Sequence, residues 1–113
     1  MKDYTSLKKN SDFQNVYSSG KSKANKYLVM YAKKNELSMN RLGIQVSKKV
    51  GNSVVRHRLT RLIRESYRLN SEMFHSGWDI VVIARTTAIN RTYQEIESAL
   101  MHLGKLLNIL SEN

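Results

Sequence analysis

The stretch Leu42-Gly43-Ile44-Gln45-Val46-Ser47-Lys48-Lys49-Val50-Gly51-Asn52-Ser53-Val54-Val55-Arg56-His57-Arg58-Leu59-Thr60-Arg61-Leu62-Ile63-Arg64-Glu65-Ser66-Tyr67-Arg68 changes its period part-way along. Up to Ser47 the apolar residues alternate. Leu42, Ile44 and Val46 share one side, as in a strand over Arg41–Ser47 with one buried face. Lys48-Lys49-Val50-Gly51-Asn52 interrupts the alternation. From about Ser53 to Leu69 the spacing is helical, with Val55, Leu59, Leu62, Ile63 and Leu69 on one stripe and Tyr67 at its edge. At about 3.6 residues per turn, His57, Arg61, Arg64 and Arg68 fall together opposite that stripe, and Arg56 and Arg58 flank them. Glu65 is the nearby counter-charge on the helix. A merely solvated face usually mixes signs to gain i,i+4 pairs. A guanidinium fork binds phosphate bidentately and stacks on bases. The sequence therefore predicts a strand, a turn and a helix that shows phosphate one face and the core the other.

Upstream, Tyr27-Leu28-Val29-Met30-Tyr31-Ala32 has strand composition, with Tyr27, Val29 and Tyr31 on one face and Leu28, Met30 and Ala32 on the other. The short connection to the strand at Arg41 predicts an antiparallel pair. Lys33-Lys34-Asn35-Glu36 reads as loop, and Lys21-Ser22-Lys23-Ala24-Asn25 as a basic connector. A first helix, capped by Ser11 or Asp12, carries Phe13, Val16 and Tyr17 and stops at Ser18-Ser19-Gly20. Downstream, Ile80-Val81-Val82-Ile83 within Trp78–Ala84 suits a strand buried on both faces. Thr92-Tyr93-Gln94-Glu95 has capping-box form, and Ile96, Ala99, Leu100, Leu103, Leu106, Leu107 and Leu110 continue it as a helix stripe. The order is that of an α+β fold in which helices cover a sheet.

The 113 residues fit one domain, 1–113. Lys and Arg number 19 against 9 Asp and Glu, a net charge of +10, which calls for a polyanionic partner: nucleic acid or an anionic membrane surface. With no cysteine, disulfides, thiolate metal sites and Cys nucleophiles are excluded. No apolar run is long enough to span a bilayer, and the N-terminal residues Met1–Lys9 lack an apolar signal core, so the expected location is cytoplasmic.

A second constellation is aromatic. Phe13 and Tyr17 share a helix face, with Tyr27 and Tyr31 on a strand and Lys8, Lys9, Lys21, Lys23 and Lys26 around them in sequence. Aromatics among lysines suit a single strand whose bases stack while its phosphates are neutralised; the same residues also serve as ordinary core. The acidic residues form no metal-nuclease motif, His57, His75 and His102 are isolated, and there is no phosphate-binding GxxxxGK[ST] loop.

The stretch Leu42 to Glu65 closely resembles the signature of bacterial ribonuclease P protein, of the type G-x-S-V-S-K-K-x-G-N-A-V-x-R-N-R-x-K-R-x-x-R-E. The resemblance continues in Lys8 to Tyr17, Ala24 to Tyr31 and Trp78 to Arg85, and covers nearly the whole chain. It implies a three-layer sandwich with a four-stranded mixed sheet, ribosomal protein S5 domain 2-like, with a left-handed βαβ crossover. It implies a protein subunit that binds a catalytic RNA through Lys48, Lys49, Arg56, His57, Arg58, Arg61, Arg64 and Arg68. Phe13, Tyr17 and Tyr31 match the aromatics of a cleft for the 5′ leader of precursor tRNA. Leader removal makes the mature tRNA 5′ end, and the protein broadens the substrate range. No catalytic residue and no metal ligand belong to the protein: the RNA holds the Mg²⁺ and performs the hydrolysis. Neither DNA nor membrane is an expected partner. Two positions depart from the pattern. The usual Asn between the paired arginines is His57, and the usual Lys before the next Arg is Thr60. Both arginines of the triplet remain. The alternatives are a general or ribosome-associated RNA-binding domain without a role in tRNA maturation, and a stand-alone nuclease, against which the missing carboxylate cluster speaks.

Overall fold

The computed structural model describes residues 4–111. In chain order they form β1 (Tyr4–Ser6), α1 (Asn10–Ser19), β2 (Lys21–Ala24), β3 (Leu28–Lys34), β4 (Asn40–Gln45), α2 (Ser53–Asn70), β5 (Trp78–Ala84) and α3 (Tyr93–Leu106), with short 3-10 turns at Ser71–Met73 and Thr86–Ala88. The sheet has five strands in the order β1-β4-β5-β3-β2. The fifth arises because the chain before α1 adds β1 in parallel to β4, while the presumed basic connector is itself an edge strand paired antiparallel to β3. Lysines at an edge suit a strand that must not recruit another chain.

The expected antiparallel pair of β3 and β4 does not form. β5 inserts between them, antiparallel to β3 and parallel to β4. Its unbroken apolar run explains why: a central strand needs both faces covered. Ile80 and Val82 enter the main core, whereas Val81 joins Leu7 and Val16 on the other face. Three layers result, with α1 on one face and α2 and α3 on the other.

The main core holds Leu28, Met30, Ala32 and Leu42 of the sheet with Leu59, Ile63 and Tyr67 of α2 and Ile96, Leu100 and Leu103 of α3. Tyr67 is central rather than marginal, its ring edge-on to Tyr4 and tilted against Phe74. Leu69 and Leu106, both assigned to core stripes, are exposed at 57% and 46%. Each lies in the last turn of its helix, where the apolar period outlasts the surface it could cover. Asn108 turns the chain with φ 62°, and Ile109 then fills the core instead.

Helix ends follow local chemistry. Thr92 and Glu95 form the reciprocal capping box, and the Asn52 side chain accepts from the Val55 N–H at the start of α2. α1 begins after Lys9 with no side-chain cap, so Ser11 and Asp12 lie inside its first turn. It stops at Gly20, where a Cβ would lie 2.6 Å from the Val16 carbonyl oxygen and 2.9 Å from that of Ala32.

Candidate nucleic-acid interface

Two surfaces meet on the β1–β4 side of the sheet. The first is α2. Its buried residues Leu59, Ile63, Ser66 and Tyr67 fix its rotation, so His57, Arg61, Arg64 and Arg68 face solvent together. Among the described residues, neither Arg61 nor Arg64 makes an ion pair. Arg68 is different: its guanidinium grips Glu65, with Nε donating to Oε2 at 3.1 Å, which holds that carboxyl below its ordinary range. Arg58 reaches sideways and donates to the Arg91 carbonyl at 2.8 Å. Arg56 is half-buried, with its Nε enclosed and without a hydrogen-bond partner. Lys48 and Lys49 stand exposed in the turn before α2, which Val50 anchors in the core. Gly51 has a local purpose there: a Cβ would lie 2.9 Å from Val55. Thr60, in place of the usual lysine, folds its hydroxyl back onto the Arg56 carbonyl at 2.9 Å.

The second surface lies between α1 and the sheet. Strand pairing sets Ser22, Tyr31, Val81 and Gly43 side by side, and beyond them Ala24, Val29, Ile83 and Gln45. Phe13, Val16 and Tyr17 of α1 pack on this face with Leu7. Gly43 leaves room for the Phe13 ring, which a Cβ would meet at 2.5 Å. Tyr17 and Tyr31 meet edge to face with centroids 5.0 Å apart, and the Tyr17 hydroxyl donates to Gln45 Oε1. Burial and the neighbouring Tyr31 push the Tyr17 phenol above its ordinary pKa. The three expected aromatics are therefore together and half-buried. Tyr27 is not among them. It precedes β3, packs toward the main core and donates to Glu95 Oε2.

Sequence reading missed the polar clamp that holds α1. Arg41 donates to both carboxylate oxygens of buried Asp79, at 2.8 and 2.6 Å, and stands 3.7 Å from Asp12 of α1. Asn35 adds a bond to Asp79 at 2.9 Å. Burial pushes the Asp79 carboxyl up, but these hydrogen bonds outweigh it and hold the group below its usual value. Only the β4–β5 register, which sets Arg41 beside Asp79, could have shown this. A cavity of about 120 Å³, lined by Phe13, Gly43, Ile44 and Arg64 among others, joins the aromatic cleft to the arginine face.

Among the described residues no three His, Asp or Glu side chains gather as a metal site; Asp3 and Glu112 lie outside them. No described helix is long and apolar enough to cross a membrane.

The family profile of ribonuclease P matches residues 1–108. The chain belongs to the ribonuclease P protein family. The ribonuclease P protein component of Lachnoclostridium phytofermentans is 66% identical over 108 residues, covering 96% of this chain and 93% of the relative. The ribonuclease P protein of Staphylococcus aureus superposes with a TM-score of 0.86 at 40% identity, covering 94% of this chain and 97% of that one. The ribonuclease P protein of Thermotoga maritima gives 0.82 at 33% identity, covering 88% and 94%. The α+β fold, with its mixed sheet, is that of the ribonuclease P proteins.

Proposed function

We propose that this ribonuclease P subunit binds the catalytic RNA with one surface and the 5′ leader of precursor tRNA with the other. The observation that carries the reading is the junction of an arginine-rich helix face and an aromatic cleft on the β1–β4 side of the sheet, through Arg64 and Phe13. Arg61, Arg64 and Arg68, with Lys48, Lys49, Arg56, His57 and Arg58, neutralise phosphates of the RNA subunit. Each phosphate contact releases counterions, so charge supplies affinity. Phe13, Tyr17 and Tyr31 offer ring surface to unpaired leader bases, which a folded tRNA body does not supply. Precursor then binds more tightly than product, and two polyanions repel less. Mg²⁺ belongs to the RNA subunit, and hydrolysis is its chemistry. Metal-assisted hydrolysis needs ligands that hold the ion and orient water, and the described carboxylates are scattered or spent on Arg41, Arg68 and the α3 cap. The protein works in the cytoplasm and needs neither DNA nor membrane.

The test is single-turnover cleavage of labelled precursor with Mg²⁺, with and without the RNA subunit. Cleavage is expected only when the RNA is present. Robust cleavage by RNA-free protein, abolished by a point mutation in this chain, overturns the reading.

A further inference from the structure

Tyr27 stands apart from the cleft, in a setting of its own. The Lys26 ammonium lies 5.6 Å and the Arg91 guanidinium 5.8 Å from its ring centroid. Beside it a groove of about 580 Å³ runs along α3, floored by Tyr27 and Ala99 and rimmed by Gln94, Ser98 and His102. The frame is locked by polar bonds. Asn25 donates to the Ala99 carbonyl at 2.9 Å and accepts from the N–H groups of Tyr27 and Leu28. Thr87 donates to the Lys26 carbonyl, and Arg85 to that of Asn25. Arg91 Nε is enclosed without a hydrogen-bond partner, and its ion pair with Glu95 is loose at 3.6 Å. The Arg58 side chain from α2 lands on the Arg91 carbonyl, so the ledge continues the arginine face around the molecule.

We propose that this ledge is a further RNA subsite, in which an unpaired nucleotide of the catalytic RNA lays its base against Tyr27 and its phosphate against Lys26 and Arg91. The inference rests on the reading of α2 as the RNA-subunit face. An aromatic ring with an apolar floor suits any base, and two cations at the same ring suit the phosphate beside it. Glu95 keeps the phosphate on the cationic side. It accepts from the Tyr27 hydroxyl and the Thr92 N–H, and the latter bond, with lesser help from Arg91, holds it ionised. Continuity with Arg58 favours the RNA subunit over the leader, because the cleft aromatics lie on the opposite face of the sheet.

The test measures binding of the full chain to the RNA subunit alone, and separately binding of leader-bearing precursor to the holoenzyme. Tyr27→Leu is expected to weaken RNA-subunit binding by roughly tenfold. Lys26→Gln and Arg91→Gln should each lower the salt slope, by about 0.7 to 0.9 log units in all, because they share one phosphate. Lys26 is exposed, so its variant keeps the test open if Tyr27→Leu fails to fold. Arg61→Ala with Arg64→Ala serves as the control. If that control weakens assembly while the Lys26 and Arg91 variants bind with unchanged affinity and slope, the ledge proposal is overturned and the α2 reading stands. If the control also has no effect, the α2 reading falls, and the ledge proposal with it. A loss confined to precursor binding assigns the ledge to the leader and overturns the proposal.

Discussion

Gly43 shows how one missing atom shapes the cleft. Its hydrogen lies where a Cβ would press into the Phe13 ring, held in turn by Leu7 and Val16. Gly43→Ala should cost about 1–3 kcal/mol through overpacking and tilt Phe13, lowering the preference for precursor over mature tRNA; thermal melts and paired binding titrations check both. Tyr17→Ala acts on the same site without crowding it. Precursor binding should weaken by roughly 1–3 kcal/mol if a base stacks there, with mature tRNA little changed, and equal losses for both RNAs would argue against a leader site. On α2, replacing Arg61 and Arg64 by Ala should flatten the salt dependence of assembly by about 0.7 to 0.9 log units per lost phosphate contact. Arg68→Ala should do less, since its guanidinium already serves Glu65.

Among the elements, α1 depends most on polar attachment, because Val16 is its one fully buried residue. The Arg41–Asp79 pair beneath it also sets a pH dependence. The folded Asp79 carboxyl sits below its unfolded value of about 3.9. Its contribution is therefore complete above roughly pH 4 and is lost as pH falls through the folded value. Asp79→Asn should cost about 1–3 kcal/mol at neutral pH, and the gap from the parent should narrow in acid, as urea unfolding at several pH values would reveal. The sequence predicted α2, α3 and β5 well, since a long period or an unbroken apolar run is a local signal. It misplaced β3 beside β4 because chain proximity says nothing about a strand that arrives later. β1 and β2 were illegible for a related reason: segments of three or four residues with little apolar pattern become strands only when an edge is there to pair with. In the candidate site, the arginine face followed from helix geometry alone. The aromatic constellation was legible as either base-stacking surface or ordinary core, and the family resemblance selected Phe13, Tyr17 and Tyr31 from it, because the pattern alone does not show how much of each ring stays open. Tyr27 was grouped with Tyr31 by an alternation that had not yet begun, since β3 starts at Leu28.

For the whole molecule, a net charge of +10 on a domain with a radius of gyration of 13.0 Å has two opposite consequences. Self-repulsion opposes folding, so added salt should raise the Tm of the free protein. The same salt should weaken its complex with RNA. Melting curves and binding titrations across one salt series would show the two trends crossing.

The position of β5 has a consequence for biosynthesis. Until residue 84 has left the ribosome, β3 and β4 have no neighbour to join them, and the two halves of the sheet are strangers. A nascent chain halted at Asn70 would own six elements, β1, α1, β2, β3, β4 and α2, and two strand pairs with nothing to join them. Long-range closure of this kind slows folding relative to local pairing. The sheet therefore closes late, when Trp78–Ala84 slides between strands made dozens of residues earlier, and a chain truncated before Trp78 should lack the strand that joins its two halves.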